Sequence, residues 1–147
     1  MICISMGYPD FESQINILKD RHTENPVDHI KSVLNHEEIL AMQKEVSSIF
    51  ISDPIYAYIT HLAEATRSHA SIHLGISPRG ALAICQMSKA FAYISGRDFV
   101  VPEDVTAILS DVCAHRIVLS TQAKMSGTNA HKVIEEIIHD VQMPLIK

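Results

Sequence analysis

Two stretches of this sequence decide the fold. Residues 75–81 read Gly-Ile-Ser-Pro-Arg-Gly-Ala, and residues 96–105 read Gly-Arg-Asp-Phe-Val-Val-Pro-Glu-Asp-Val. Ser77 followed by Pro78 predicts a helix start, since serine caps a helix and proline needs no N–H donor in the first turn. Gly96 predicts the end of that helix, because glycine readily adopts the left-handed conformation of a C-terminal cap. The residues between are apolar nearly all round, which predicts a helix at the centre of the fold.

Similar signals on either side of these stretches predict further helices. Residues 1–6 are apolar and predict a β-strand that ends at Gly7, Tyr8 and Pro9. Residues 21–34 predict a connector, and residues 97–101 predict a short extended link. The sequence therefore predicts an all-α bundle of about six helices with one or two short strands. The other predicted helix starts are Asp10, Asn35 (paired with Glu38 in a capping box), Asp53, Pro102 and the end of the polar loop 126–129. The predicted inward faces are Ile39, Met42, Val46 and Ile49; Ile55, Tyr58, Ile59, Leu62 and Thr66; Val105, Ile108, Leu109 and Val112; and Val133, Ile134, Ile137, Ile138 and Val141.

Length, composition and charge exclude several classes of function. The chain has 147 residues, of which 47% are hydrophobic and 20% charged, as in a globular domain. Its 12 basic and 17 acidic residues give a net charge of −5, which argues against general binding of nucleic acid or a membrane surface. No stretch approaches the roughly 20 apolar residues of a membrane-spanning helix. None of the 5 glycines is followed by lysine, so the chain contains no complete phosphate-binding loop of the G-x-x-x-x-G-K-[ST] type.

The cysteines and histidines show no metal-binding or catalytic pattern. The 3 cysteines lie far apart without a C-x-x-C pair, which fits a reducing compartment, and Cys85 and Cys113 lie in apolar helical patterns. The 9 histidines form no motif with ligand spacing, so no metal site is predicted. No nucleophile motif or converging pair of acids emerges, and we expect no enzyme activity from this chain alone.

Arg79 stands out electrostatically. It falls in the first turn of the helix that begins after Ser77, where the helix dipole is positive and an arginine is mildly unfavourable. The same position becomes favourable once an anion is bound, because free backbone N–H groups, the helix dipole and the guanidinium all attract it. Phosphate is the natural candidate. The alternative is an arginine that simply points to solvent.

The same stretches resemble the C-terminal lid of MoxR-type AAA+ ATPases. That family usually reads G-A-S-P-R-A, then a helix, then G-R-x-x-V-x-P-E-D-V, and residues 115–117 match the H-R-[IL] that ends its next helix. The likeness extends from Met1 to about Pro144 and includes Gly7-Tyr8-Pro9, residues 26–27, residues 37–40 and residues 58–67.

The resemblance implies roles for six residues. Arg79 matches the sensor-2 arginine, a catalytic residue that reaches from the lid to the γ-phosphate of ATP held by the core of the same subunit. Ser77 and Pro78 would set the helix start that aims it. Gly7, Tyr8 and Pro9 match the hinge between core and lid, near the adenine end of the nucleotide.

The resemblance also implies a larger parent protein. Residues 1–8 would be the last strand of a missing nucleotide-binding core with the hinge, and residues 9–147 the helical lid. ATP and Mg²⁺ would then be cofactors of the intact parent ATPase, and we expect neither to be bound by this piece alone. The implied partners are the core of the same chain, neighbouring subunits of a homo-oligomeric ring, client proteins under chaperone-like remodelling and von Willebrand factor A-type proteins, in the cytoplasm.

A different interpretation stays open on the sequence alone. The apolar helix after Ser77 would also suit a free-standing, non-enzymatic interaction module, such as a histone-fold-like dimer. Such a dimer persists at micromolar concentration, whereas an excised lid is mostly monomeric.

Overall fold

The computed structural model describes residues 2–20 and 25–144, without the side chain of Pro26. Its residues form two compact units, one of residues 4–42 and one of residues 2–3 with 43–144. The predicted all-α class is confirmed: the described residues form seven α-helices, one 3-10 turn and one two-stranded sheet. In chain order these are α1 (Phe11–Asp20), the 3-10 turn (Pro26–His29), α2 (His36–Ser48), α3 (Asp53–Ser68), β1 (Ile72–Leu74), α4 (Pro78–Ile94), α5 (Pro102–Cys113), β2 (Val118–Leu119), α6 (Thr121–Met125) and α7 (Ala130–Asp140).

The unit of residues 4–42 contains α1, the 3-10 turn and the first half of α2. Asp10 caps α1, as predicted, by accepting a hydrogen bond from the backbone N–H of Ser13 at 2.8 Å. The predicted capping box is confirmed, since the N–H of Asn35 donates to Glu38 Oε2 at 2.7 Å and the N–H of Glu38 donates to Asn35 Oδ1 at 2.9 Å. Within the stretch predicted to be a connector, the described residues contain the 3-10 turn.

The core lies in the larger unit, where α3, α5 and α7 each bury one face. The predicted inward faces of α3 and α5 are confirmed in full. On α7 three of the five predicted residues are buried, and Ile138 and Val141 are partly buried. The buried positions are Ile55, Tyr58, Ile59, Leu62 and Thr66 on α3, Val105, Ile108, Leu109 and Val112 on α5, and Val133, Ile134 and Ile137 on α7.

The prediction that α4 lies at the centre of the fold is wrong. Leu82 and Ile94 are 64% and 82% exposed. The buried positions of α4 carry mostly small residues, namely Gly80, Ala83, Ile84, Ser88 and Ala92. A stripe of small residues lets a helix approach its neighbour closely with one face, so an apolar composition all round does not require burial all round.

The predicted inward face of α2 is also largely wrong. Ile39 and Met42 are exposed, Val46 is partly buried, and only Ile49, just beyond the helix, is buried. The next helix starts at Asp53 as expected, but the residue in the cap position is Ser52.

The strands form at other positions than predicted. Residues 2–6 form no strand, and the N–H of Cys3 donates to the carbonyl of Asp111 at 2.9 Å. A strand requires a neighbouring strand for its hydrogen bonds, and no described strand pairs with these residues. The assignment of residues 1–8 to a nucleotide-binding core therefore stays a prediction.

The sheet that does form consists of β1 and β2. The two strands are antiparallel, with Ile72 opposite Leu119 and Leu74 opposite Val118. The N–H of Ser120 extends the pairing by donating to the carbonyl of Ser71 at 2.8 Å. Strands of three and two residues are too short to show a clear alternating pattern, which is why the sequence did not predict them.

The two buried or partly buried cysteines behave as small apolar side chains, as predicted. Cys113 is fully buried, and burial raises the pKa of its thiol to about 12. Burial also raises the pKa of Cys85. In the part of the chain that the structure describes, no helix is long and apolar enough to cross a membrane.

A buried ion pair closes the connection from α4 to α5. Gly96 has a φ of +74° and ends α4, as predicted. Arg97 then donates from Nη1 to Asp104 Oδ2 at 2.7 Å and from Nη2 to Asp104 Oδ1 at 2.5 Å. The N–H of Val101 donates to the same carboxylate at 2.9 Å. The carboxylate raises the pKa of Arg97, mainly through the side-chain hydrogen bond, and the Asp104 side chain is only 1% exposed.

We expect Arg97→Ala to lower the free energy of unfolding by about 3 kcal/mol, because it leaves the Asp104 carboxylate buried without its cation. Urea unfolding followed by circular dichroism measures this loss. Lys124→Ala removes an exposed cation elsewhere and is expected to change stability by less than about 0.5 kcal/mol. Equal unfolding curves for the two variants would contradict a stabilising role for the pair.

Candidate functional site: an arginine-lined hollow at the start of α4

The start of α4 is held by its own cap. Ser77 precedes the helix and its Oγ accepts a hydrogen bond from the N–H of Gly80 at 3.3 Å. Pro78 occupies the first helical position, as the sequence predicted. These residues place Arg79 in the first turn, at the positive end of a helix of 17 residues.

The residue before the cap is held by the last turn of α3. The N–H of Ile76 donates to Thr66 Oγ1 at 3.0 Å, and the carbonyl of Ile76 accepts from Arg67 Nε at 2.9 Å. Gly75 makes this approach possible, because a Cβ at that position would lie 2.7 Å from the carbonyl oxygen of Thr66. Both backbone polar groups of Ile76 are therefore bound by neighbouring residues of α3.

Arg116 reaches the same place from the segment between α5 and β2. It lies two residues before β2, and its Nη1 donates to the carbonyl of Val112 and contacts His115 Nε2. Its Cδ lies 3.6 Å from the position that a Cβ on Gly80 would occupy. Desolvation lowers the pKa of His115, and the charge of Arg116 lowers it further.

These elements enclose a hollow of about 440 Å³, which we call the arginine hollow. Three of the residues that line the hollow are arginines, and no described residue of the lining is acidic. Arg79 is exposed and makes no hydrogen bond or ion pair with any described residue. The lining residues are Arg67, Leu74, Gly75, Ile76, Ser77, Arg79, Gly80 and Arg116.

The structure brings together only part of the predicted site. Ser77 and Arg79 line the hollow, and Pro78 lies between them. Gly7, Tyr8 and Pro9 belong to the unit of residues 4–42 and are exposed there, so their role in nucleotide binding stays a prediction.

Sequence reasoning missed Arg67 and Arg116 as site residues. Both fall in segments quoted for the family resemblance, but nothing local marks them: Arg67 lies in the last turn of α3, and Arg116 lies two residues before β2. The two short strands of this region were themselves too short to be predicted, so they gave no signal. Among the described residues, no group of three His, Cys, Asp or Glu side chains is placed to hold a metal ion.

The fold and the hollow define a small helical domain with a basic site at the start of one helix. A family model of the AAA lid domain matches residues 64–137, which is 74 of the 147 residues. The chain belongs to the AAA lid domain family.

Individual relatives support the same assignment. The chain is 32% identical to the uncharacterized protein YeaC of Bacillus subtilis and 27% identical to the chaperone MoxR1 of Mycobacterium tuberculosis, over 97% of its length in both cases. The crystal structure of a "putative ATPase" from Cytophaga hutchinsonii aligns with 99% of the chain at a TM-score of 0.84 and 26% identity. These matches confirm the predicted resemblance to the lid of a MoxR-type AAA+ ATPase. The chain spans 44%, 40% and 47% of the three proteins, less than half of each.

The chain departs from the usual family wording at two positions that touch each other. Where G-A-S-P-R-A has alanine twice, this sequence has Ile76 and Gly80. A Cβ on residue 80 would overlap Cγ2 of Ile76, and Ile76 is 1% exposed. The larger side chain at one position therefore fills the space left by the smaller residue at the other.

We expect Gly80→Ala to destabilise the chain by about 1–3 kcal/mol, because the added methyl group overpacks the contact with Ile76. In the double variant Ile76→Ala/Gly80→Ala, the smaller side chain at position 76 leaves room for the methyl group at position 80. The double variant should therefore lose at least about 1 kcal/mol less free energy of unfolding than the sum of the losses in Ile76→Ala and Gly80→Ala. Urea unfolding of the four proteins measures the coupling, and additive losses would contradict the exchange of volume.

Proposed function

We propose that this chain is the lid of a MoxR-type AAA+ ATPase and that Arg79 contacts the γ-phosphate of ATP held by the nucleotide-binding core of the same polypeptide. The observation that carries the proposal is the state of Arg79. It lies exposed at the positive end of a long helix, beside two further arginines, without a partner among the described residues. An unpaired guanidinium in that place is suited to an anion supplied from outside the lid.

The chemistry of arginine fits this task. Its planar, permanently charged guanidinium presents two parallel donors to phosphate oxygens. Phosphoryl transfer spreads negative charge over the terminal phosphate, so a cation that is held in place stabilises the transition state. In this scheme the Ser77 cap, with Pro78 at the first helical position, gives the start of α4 a fixed geometry, and Arg79 reads whether the terminal phosphate is present.

A hinge at residues 7–9 would transmit that information. Gly7 has a φ of +68°, which a residue with a side chain rarely adopts, and nothing lies within 4 Å of where its Cβ would be. Tyr8 and Pro9 are exposed. Rotation of the lid about these residues would couple the nucleotide state to the packing of neighbouring subunits.

The parent protein is proposed to act as a ring-shaped ATPase in the cytoplasm that uses ATP and Mg²⁺. One relative, MoxR1, is named a chaperone. This name favours the remodelling of protein complexes as the process that ATP hydrolysis drives in the parent. Its client proteins, and von Willebrand factor A-type partners, would bind the assembled parent, whereas the lid supplies the phosphate-reading arginine.

We expect Arg79→Ala in the full-length ATPase to lower the rate of ATP hydrolysis at least about 100-fold, because the transition state loses a charged donor. A steady-state phosphate-release assay measures it. The free energy of unfolding should hardly change, since Arg79 has no hydrogen-bond or ion-pair partner to lose among the described residues.

Two matched variants sharpen this test. Lys124→Ala removes an exposed cation outside the hollow and should retain full hydrolysis. Arg79→Lys retains the charge without the planar fork and should fall between the wild type and Arg79→Ala. Unchanged turnover in Arg79→Ala would remove this residue from the mechanism.

A further inference from the structure

The other two arginines of the hollow are held in an unusual way. The guanidinium of Arg97 is neutralised by the buried carboxylate of Asp104. Arg67 and Arg116 have no carboxylate partner among the described residues: Arg67 donates to the carbonyl of Ile76, and Arg116 donates to the carbonyl of Val112. A backbone carbonyl orients a guanidinium but leaves its positive charge in place.

These contacts also leave donors available. Arg67 uses only Nε, so its two terminal nitrogens make no hydrogen bond with any described residue. Arg116 uses Nη1, and its Nη2 is likewise without a protein partner in the part of the chain that the structure describes. Because the arms are already fixed, a ligand that binds these donors would cost less side-chain entropy than one that must order free arginines.

Charge points to the kind of ligand. Three arginines line the hollow and no described residue of its lining carries a carboxylate, on a chain whose net charge is −5. Arg67 and Arg79 are exposed and Arg116 is partly buried, so an anion that enters the hollow would meet positively charged side chains. A volume of about 440 Å³ accommodates a group larger than a single small ion.

We propose that the arginine hollow is one binding site for the polyphosphate chain of a nucleotide, in which Arg67 and Arg116 contact phosphate oxygens together with Arg79. The identity of the anion rests on the function proposed above. The inference that an anion binds among the three arginines does not depend on that function, because it is drawn from the lining of the hollow and from the partners of each guanidinium.

Titration of the 147-residue chain with sodium tripolyphosphate tests the inference. The readout is the NMR signal of the arginine Nε–H groups, which reports on each arginine separately. We expect saturable shifts at Arg67, Arg79 and Arg116 and little change at Arg97. Arg67→Gln and Arg116→Gln should each weaken binding at least about 3-fold, whereas Lys124→Gln, which removes the same charge elsewhere, should not.

A second pair of variants avoids the arginines altogether. Leu74 lines the hollow and is 60% exposed, so its replacement should leave the fold intact. Leu74→Glu places a carboxylate among the arginines and should bind tripolyphosphate at least about 10-fold more weakly than the isosteric, uncharged Leu74→Gln, because the two variants differ at this position only in charge. This pair remains informative if Arg67→Gln unfolds because it loses the bond to Ile76.

Several outcomes would overturn the inference. They are the absence of binding at millimolar tripolyphosphate, affinities of Arg67→Gln and Arg116→Gln equal to that of Lys124→Gln, or equally tight binding of a poly-glutamate peptide of the same charge. The function proposed for Arg79 is tested separately by turnover of the full-length ATPase. If the chain binds tripolyphosphate but the full-length Arg79→Ala variant hydrolyses ATP at the normal rate, the anion site stands and the function proposed for Arg79 is wrong.

Discussion

The site depends on how the last turn of α3 holds Ile76. The Thr66 hydroxyl binds the N–H of this residue and the Arg67 guanidinium binds its carbonyl, so the chain is fixed one residue before the cap of α4. Both contacts require the close backbone approach at Gly75. The Ser77 cap and Pro78 then begin α4 from this fixed point and place Arg79 in its first turn. The short stretch that resembles the family motif is therefore explained by backbone geometry before any ligand is considered.

The opposite end of α4 is fixed just as firmly. Gly96 ends the helix in the left-handed conformation, and the pair of Arg97 with the buried Asp104 ties the following turn to the start of α5. Both ends of the helix that carries Arg79 are therefore tied to neighbouring elements, the first to α3 and the last to α5.

Local signals predicted the helix starts well, because a cap involves residues three positions apart. Ser77, Asp10 and the Asn35–Glu38 pair all make the predicted hydrogen bonds. Burial was harder to predict, since it depends on which neighbour a face meets: α4 has large apolar residues on its exposed surface and small ones against its neighbours. The arginine hollow could not be predicted locally, because Arg67 and Arg116 are 49 positions apart in the chain and line one hollow once α3 and α5 have packed against α4.

The arginines of this domain also show why net charge is a poor guide to binding. A chain with a charge of −5 offers little attraction to a distant polyanion, which argues against general nucleic-acid binding but says nothing about a single hollow of about 440 Å³ lined by three arginines. There the decisive quantity is the partner of each guanidinium. Arg97 is neutralised by Asp104 and stabilises the fold, whereas Arg67 and Arg116 are oriented by carbonyl oxygens and retain their charge. Those carbonyl bonds give Arg67 and Arg116 a structural role at the last turns of α3 and α5, and the charge that they leave in place is what an anion in the hollow would meet.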